Sequence, residues 1–376
     1  GGRRVSASAG ATRPPVHVSA ADRIEAFVAR TLGRLSPRAL VRLSGRPPLE
    51  IDGQVLDPQL QLALAIRRRR GARGLVEPSI EAGRRRYRRD MVVHRGPKTA
   101  VGAVRELTIA SPAGEIPARY YAPPATGDEV GRQAPLLLFL HGGGFVIGDL
   151  DTHDEACRIL CRHGKLHVLA VDYRLAPEHP FPAALDDVWS AYAWARSHAA
   201  HFGADPACIA LGGDSAGGTL AAVTAQRAKA EGVPRPAALL LVYPATDRRD
   251  TERHPSQATF GEGLFLTNAD RDAFTRAYLD GTTVSHDDPR VAPLRARDLA
   301  GLPPTLVVTA GFDLLRDEGE AYAHALRAAG NRVELRRYAS LAHGFINMTG
   351  ICRAARAATV ETAATRTGSA IPLERA

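Results

Sequence analysis

Three residue types, far apart in the chain, form the first group that could do chemistry. Ser215 stands in "GGDSAGG" (Gly212–Gly218), which contains the pattern G-x-S-x-G. His343 stands in "LAHGF", and "TAGFDLLRDEG" supplies Asp313, Asp317 and Glu318 between them. A serine hydroxyl is a poor nucleophile unless a base takes its proton and an acid orients that base. The pentapeptide alone is a weak signal, and its setting strengthens it. The apolar run Ile209–Leu211 precedes it, and an alanine-rich helical stretch begins at Ala216. Such a strand–turn–helix holds a serine on a sharp turn with its hydroxyl exposed, and its partners follow in the order acid, then histidine. His343 lies just past a predicted strand, whereas His324 falls inside a predicted helix and His254 and His286 in a polar stretch. His343 is therefore the expected base. Asp313 comes two residues after Gly311, the end of a buried apolar run, and is the expected acid; Asp317 is expected to cap the next helix.

A second cluster, "FLHGGGFVIGD" (Phe139–Asp149), sets Gly142, Gly143 and Gly144 straight after the apolar run Leu136–Leu140. Glycine in ordered backbone is entropically costly, so three in a row need a use. One use is cradling a phosphate, but the phosphate loop G-x-x-x-x-G-K-[ST] needs a lysine. Neither glycine cluster has one. The other is aiming bare N–H groups at an oxyanion formed when Ser215 attacks an ester carbonyl. The backbone N–H groups of Gly143, Gly144 and Ala216 are the expected oxyanion hole. His141 is expected to hold this loop in shape rather than to move protons.

These residues need a scaffold, and the pattern supplies one. Helices are predicted from about Asp22 to Leu35, ended by Ser36-Pro37; from Asp57-Pro58 through the arginine run; and from Ser79 to about Met91. Two strands surround the turn Ser111–Gly114. Apolar strands then alternate with helices: Pro135–His141, His167–Arg174, the run from Cys208, Ala237–Pro244, Pro304–Gly311 and Arg332–Tyr338, with helices over Ala183–His198, Ala216–Glu231 and Asp317–Ala329. That alternation predicts an α/β fold with a mostly parallel central sheet and helices on both faces. A polar stretch, Ala245 to about Arg290, interrupts the rhythm as a lid-like insertion would. Residues 1–19 read as a disordered tail, 20–100 as N-terminal helices, and 101–376 as the α/β domain.

Composition excludes several classes. The 376 residues are 45% apolar, 24% charged and 6% aromatic. That balance suits a globular enzyme. No apolar run approaches the length of about 20 residues that spans a bilayer. The N-terminal stretch also lacks the apolar core of a signal peptide. Cys157, Cys161, Cys208 and Cys352 show no zinc-ligand spacing with a second Cys or His pair and read as buried thiols of a cytoplasmic protein. Residues 1–100 carry 21 Lys+Arg against 8 Asp+Glu, and the other 276 carry 28 against 32. The basic excess lies in "IRRRRGARG" and "GRRRYRRD", with only Tyr87 interleaved. It reads as solvated helix face, and no nucleic-acid partner is expected.

Taken together, "HGGGF" (His141–Phe145), "DYRLAPEHPFPAALDD" (Asp172–Asp187), "GDSAGG", "DLLRDEG" (Asp313–Gly319) and "HGF" (His343–Phe345) resemble the bacterial hormone-sensitive-lipase-like esterases of the α/β-hydrolase superfamily. The match runs in family order from about Val104 to Phe345 and is far more specific than any one motif. One departure is Leu314, where the family has proline after the acid. The resemblance implies the α/β-hydrolase fold and hydrolysis of short-acyl carboxylic esters by Ser215, His343 and Asp313 through an acyl-enzyme, without metal or cofactor. It implies a helical cap made of residues 20–100 and the 245–290 insertion. It also implies a homodimer through the edge strand 332–338, with Arg174, Glu178, Asp186 and Asp187 structural. Three alternatives stay open: an amidase or deacetylase with the same triad, a lipid-surface enzyme, and a non-catalytic receptor for a small ligand, against which His343 argues.

Overall fold

The computed structural model describes residues 16, 18–71, 74–124, 133–249 and 254–365. Most of the tail expected over 1–19, and residues 250–253 of the insertion, lie outside the described residues.

Among the described residues, four N-terminal helices begin where side-chain caps allow. Helix α1 (Ala20–Leu32) starts on a capping box between Ser19 and Asp22. Helix α2 (Pro37–Ser44) starts at Ser36, whose hydroxyl accepts from the N–H of Ala39, with Pro37 at the first position. Ser36-Pro37, expected only to end a helix, thus also starts one. A two-residue hairpin, β1 (Glu50–Ile51) and β2 (Gln54–Val55), follows. Asp57 caps α3 (Pro58–Arg69) and Ser79 caps α4 (Ile80–His94).

The remaining chain builds the sheet. Strands β3 (Ala103–Ser111) and β4 (Gly114–Ala122) form a hairpin, followed by β5 (Ala134–Leu140), α5 (Asp154–Gly164), β6 (His167–Val171) and α6 (Ala183–His198). Next come β7 (Ala204–Asp214), α7 (Ala216–Ala230) and β8 (Leu239–Val242). The insertion holds α8 (Pro255–Phe260) and α9 (Asn268–Leu279), and the chain continues through β9 (Thr305–Phe312), α10 (Arg316–Ala328), β10 (Val333–Ala342) and α11 (Arg353–Ala364). The eight strands of the sheet lie in the order β3-β4-β6-β5-β7-β8-β9-β10, and β4 alone runs against the others.

Strand β5 shows why helices cover both faces. Leu136, Leu138 and Leu140 belong to the core that takes in α6 and α7; Leu137 and Phe139 belong to a second core with Cys157, Leu160 and Cys161 of α5. Side chains alternate along a strand, so a run apolar at every position must be covered twice. From β5 the chain moves to β6 on one side and then to β7 on the other. The crevice beyond β5 and β7 is the switch point at which open α/β sheets receive ligands.

The arginine runs are only partly solvated: Arg68, Arg69, Arg70 and Arg85 are exposed, but much of the charge is bonded inward or across to neighbouring segments. Arg84 donates to the carbonyls of Val146 and Ala176, both at 2.7 Å, and pairs with Glu178. Arg67 and Arg68 donate to the carbonyls of Phe265 and Gly263 in the insertion. Arg88 pairs with Asp149 and Asp151, and Arg89 with Asp22 and Glu25. Loop carbonyls and carboxylates facing these helices need donors, and guanidinium groups supply several each.

Candidate active site

Ser215 joins the end of β7 to the start of α7 with φ 54° and ψ −120°. A serine at positive φ is strained, and such strain persists only where the surroundings impose it. The turn is tight enough that a Cβ on Gly213 or Gly217 would lie 2.3 or 1.9 Å from the Leu140 carbonyl oxygen. Both glycines are therefore required by close approach of β5. His343 follows β10 directly, as Asp313 follows β9. An irregularity in β10 between Tyr338 and Ala342 brings Ala342 opposite Phe312. The next residue on each strand is then a neighbour of the other. His343 Nδ1 lies 2.8 Å from Asp313 Oδ2, and His343 Nε2 lies 3.1 Å from Ser215 Oγ. The second Asp313 oxygen accepts the N–H of Leu315 at 2.9 Å, which fixes the buried carboxylate's plane.

The other acid candidates are engaged elsewhere. The residue that caps α10 is Leu315, so Asp317 does not cap it. Asp317 stands within the first turn and accepts the Ser256 N–H at 2.8 Å and the Arg316 guanidinium at 2.7 Å, because α8 packs over that turn. Glu318 is fully buried and accepts from Thr246 N–H and Gln257 Nε2; burial raises its carboxyl pKa. Leu314 is buried, and its carbonyl accepts the Ser256 hydroxyl at 2.8 Å.

The glycine loop lies opposite Ser215. Gly143 and Gly144 have φ 122° and 62°, and a Cβ on them would meet Ile147 O at 2.1 Å and Phe274 Cγ at 2.3 Å. Val146 and Ile147 both donate to the Gly143 carbonyl, closing the turn. The N–H groups of Gly143, Gly144 and Ala216 donate to no described residue. His141 Nδ1 donates to Gly142 O at 2.8 Å, and Tyr173 stacks on its ring and donates to its carbonyl. Burial, and then the nearby His153, push the His141 pKa down to about 4. It is a neutral brace for the loop.

Sequence reasoning missed a buried brace behind this loop. Asp214 accepts the Gly142 N–H at 2.8 Å and faces His153 Nε2 at 3.2 Å. Asn347 Nδ2 lies 2.8 Å from the same His153 nitrogen. Burial acts to raise the Asp214 pKa, but His153, the Gly142 N–H and His141 outweigh it, so the carboxyl is held low. The one available signal was the nearness of "DTHD" and "HGFIN" to the two loops.

Above Ser215 and His343 lies a cavity of about 1010 Å³. Its wall has two characters. Ile24 and Val28 of α1, Leu62 and Ile66 of α3 and Met91 of α4 make one apolar stretch. Asp247, Arg248 and Arg271, beside Phe274, make a charged one. Arg248 is buried, donates to Val291 O and Thr275 Oγ1, and has its pKa lowered to about 10, chiefly by burial.

Residues 137–347 match the model of a family described as having the alpha/beta hydrolase fold. The chain is 49% identical over 319 residues to the carboxylic ester hydrolase LipN of Mycobacterium tuberculosis, covering 83% of this chain and 82% of that protein. It is 34% identical over 304 residues to an ethyl acetate hydrolase of Pseudomonas putida, covering 79% and 93%. Among solved structures, an alpha/beta hydrolase enzyme from the metagenome of Lake Arreo superposes with a TM-score of 0.77 at 40% identity, covering 82% of this chain and 96% of that one. An esterase of Pyrobaculum calidifontis gives 0.72 at 36% identity, covering 78% and 95%.

Proposed function

This chain belongs to the α/β-hydrolases, among the hormone-sensitive-lipase-like esterases, and on that premise we propose that it hydrolyses short-acyl carboxylic esters through Ser215, His343 and Asp313. It is a carboxylic ester hydrolase; the residue roles and the acyl length are our reading. The observation that carries the roles is the continuous link from Ser215 Oγ through His343 to Asp313, at 3.1 and 2.8 Å, on the floor of the cavity.

In this reading Ser215 Oγ attacks the ester carbonyl carbon while His343 Nε2 takes its proton. Asp313 accepts from Nδ1–H and stabilises the imidazolium. The carbonyl π electrons move onto oxygen, where the N–H groups of Gly143, Gly144 and Ala216 receive the charge. The tetrahedral intermediate collapses, the C–O bond to the alcohol breaks, and His343 returns the proton to the leaving oxygen. Water, deprotonated by His343, then cleaves the acyl–serine bond by the same steps.

The charged stretch of wall supports a short acyl group. Each added methylene is worth about 0.8 kcal/mol only while it finds apolar surface. Arg248, Arg271 and Asp247 offer little of it. We assign the acyl group to that side and the alcohol to the apolar stretch under α1, α3 and α4. Those helices and the insertion thereby act as the cap. A cytoplasmic location is supported by four buried cysteines, none of them in a disulfide. No helix among the described residues is long and apolar enough to cross a membrane. A homodimer through residues 332–338 is supported by β10 lying at a sheet edge.

The test is Ser215→Ala assayed on a butyrate ester. Loss of about 10⁴-fold or more in kcat with an unchanged circular dichroism spectrum is expected. Retention of a tenth of the activity would remove Ser215 from its role.

A further inference from the structure

Helix α1 turns its apolar side outward. At about 100° per residue, Phe27, Thr31, Ile24 and Val28 fall within an arc of about 100°. Ile24 is 65% exposed, Phe27 64% and Val28 45%. The opposite side carries Asp22, Glu25 and Ala26, and its two acids point inward to Arg89 at 2.5 and 2.6 Å. Leu35 and, on α2, Leu43 are exposed as well. Over the same stretch Arg23, Arg30, Arg34, Arg38, Arg42 and Arg46 are all exposed. None of the six makes an ion pair among the described residues, in contrast to Arg84, Arg85, Arg88 and Arg89 of α4. Ile24 and Val28 also line the cavity above Ser215, so the outer apolar patch and the cavity wall share side chains.

We propose that this face of α1 and α2 docks on an anionic lipid surface, and that esters dissolved in the lipid enter the cavity past Ile24 and Val28. The entry route rests on the ester-hydrolase reading; the docking does not. Exposed apolar side chains with arginines beside them in the chain, Arg23 and Arg30 on the flank of the α1 arc, suit the boundary between headgroups and acyl chains, where the cations meet phosphate. A second copy of this chain fits poorly, because a two-fold contact would press arginines against arginines. The chain's own N-terminus fits no better: residues 1–19 contain Arg3, Arg4 and Arg13 and no acid. An acidic protein would answer the charge but leaves unexplained why the apolar patch is continuous with a cavity for esters.

The test is co-flotation of the full chain with vesicles of phosphatidylcholine alone and of phosphatidylcholine with about a third phosphatidylglycerol. Flotation with the anionic vesicles only is expected, and release at about 1 M salt, where the screening length falls to about 3 Å. Each arginine near such a surface is worth about fivefold in partitioning, so Arg34→Glu/Arg38→Glu/Arg42→Glu should lower it at least about 100-fold. Phe27→Ser/Leu43→Ser should lower it at least about tenfold. All five side chains lie outside the cavity wall, so both variants should hydrolyse a water-soluble butyrate ester as the parent does, which also reports that they are folded. Ser215→Ala should float like the parent, which separates docking from catalysis. Equal flotation with both vesicle types, or binding that survives charge reversal, overturns the proposal. So does a dimer that Phe27→Ser/Leu43→Ser dissolves, or retention by polyglutamate without any vesicle flotation.

Discussion

Asp313 and Asp317 are close in the chain, yet only Asp313 reaches His343; Asp317 is held by Ser256 and Arg316. If Asp313 orients the imidazole, Asp313→Asn should lower kcat on a butyrate ester by about 10³–10⁴-fold, because the amide favours the wrong tautomer. Asp317→Asn should cost less than about fivefold, with its effect in stability rather than rate, since it loses a hydrogen-bonded ion pair. Equal losses in kcat at the two positions would contradict the assignment. Gly144→Ala is the matching test of the oxyanion loop. A Cβ there needs the space of the Phe274 ring and a φ of 62°. With that donor displaced and Ser215 still in place, kcat should fall by about 10²-fold or more. Fluorophosphonate labelling of Gly144→Ala at an undiminished rate would contradict that role. Ser215 and the glycines were legible because each sits in a short pattern whose geometry is decided within a few residues, and His343 because it alone of the downstream histidines follows a predicted strand. His153 and Asn347 were not, because they meet each other and Asp214 across long stretches of chain and no local pattern marks them.

The insertion is tied down by charge, and that makes its stability depend on pH. His254, just before α8, lies 3.1 Å from Asp247 Oδ2, and this hydrogen bond raises the imidazole pKa. Burial acts to raise the Asp247 pKa, but His254, Arg295 and the Arg249 N–H outweigh it and hold the carboxyl well below the usual range. A raised histidine contributes stability below its unfolded pKa of about 6.5 and loses it as pH rises through the folded value. A depressed aspartate contributes above its unfolded value of about 3.9 and loses it as pH falls through the folded one. The pair therefore acts most strongly between about pH 4 and 6.5 and fades on the alkaline side. His254→Ala should lower Tm most near about pH 5.5 and by much less near about pH 9. A Tm difference that grows toward alkaline pH would refute the coupling. Elements themselves were largely legible, since β5 and β9 are almost continuously apolar and buried, and the caps at Asp57 and Ser79 are local chemistry. The β10 irregularity was not, because register depends on the neighbouring strand. Nor was the direction of α1: period 3.6 tells which side chains share a face, but not whether that face goes inward.

At the scale of the whole molecule, residues of the N-terminal helices and of the insertion line the cavity together with the loops of the sheet domain, and in our reading they cap it. Removing residues up to Met91 should expose the apolar surround of Ser215, and both solubility and butyrate hydrolysis should fall; a truncated protein that stays soluble and equally active would show that these helices are not a cap. In the intact chain, turnover should peak between about butyrate and hexanoate, where methylenes still find apolar contact. A preference for palmitate would sink the assignment of the acyl group to the charged side. All of this depends on one nucleophile serving the entire chain. The most direct measurement is reaction of the native protein with a fluorophosphonate, followed by mass mapping of the adduct. One adduct per chain is expected, on the peptide bearing Ser215, formed at least about 10²-fold more slowly in His343→Ala. An adduct on any other residue, or labelling at the parent rate without His343, would overturn the assignment of Ser215 as the nucleophile and His343 as its base.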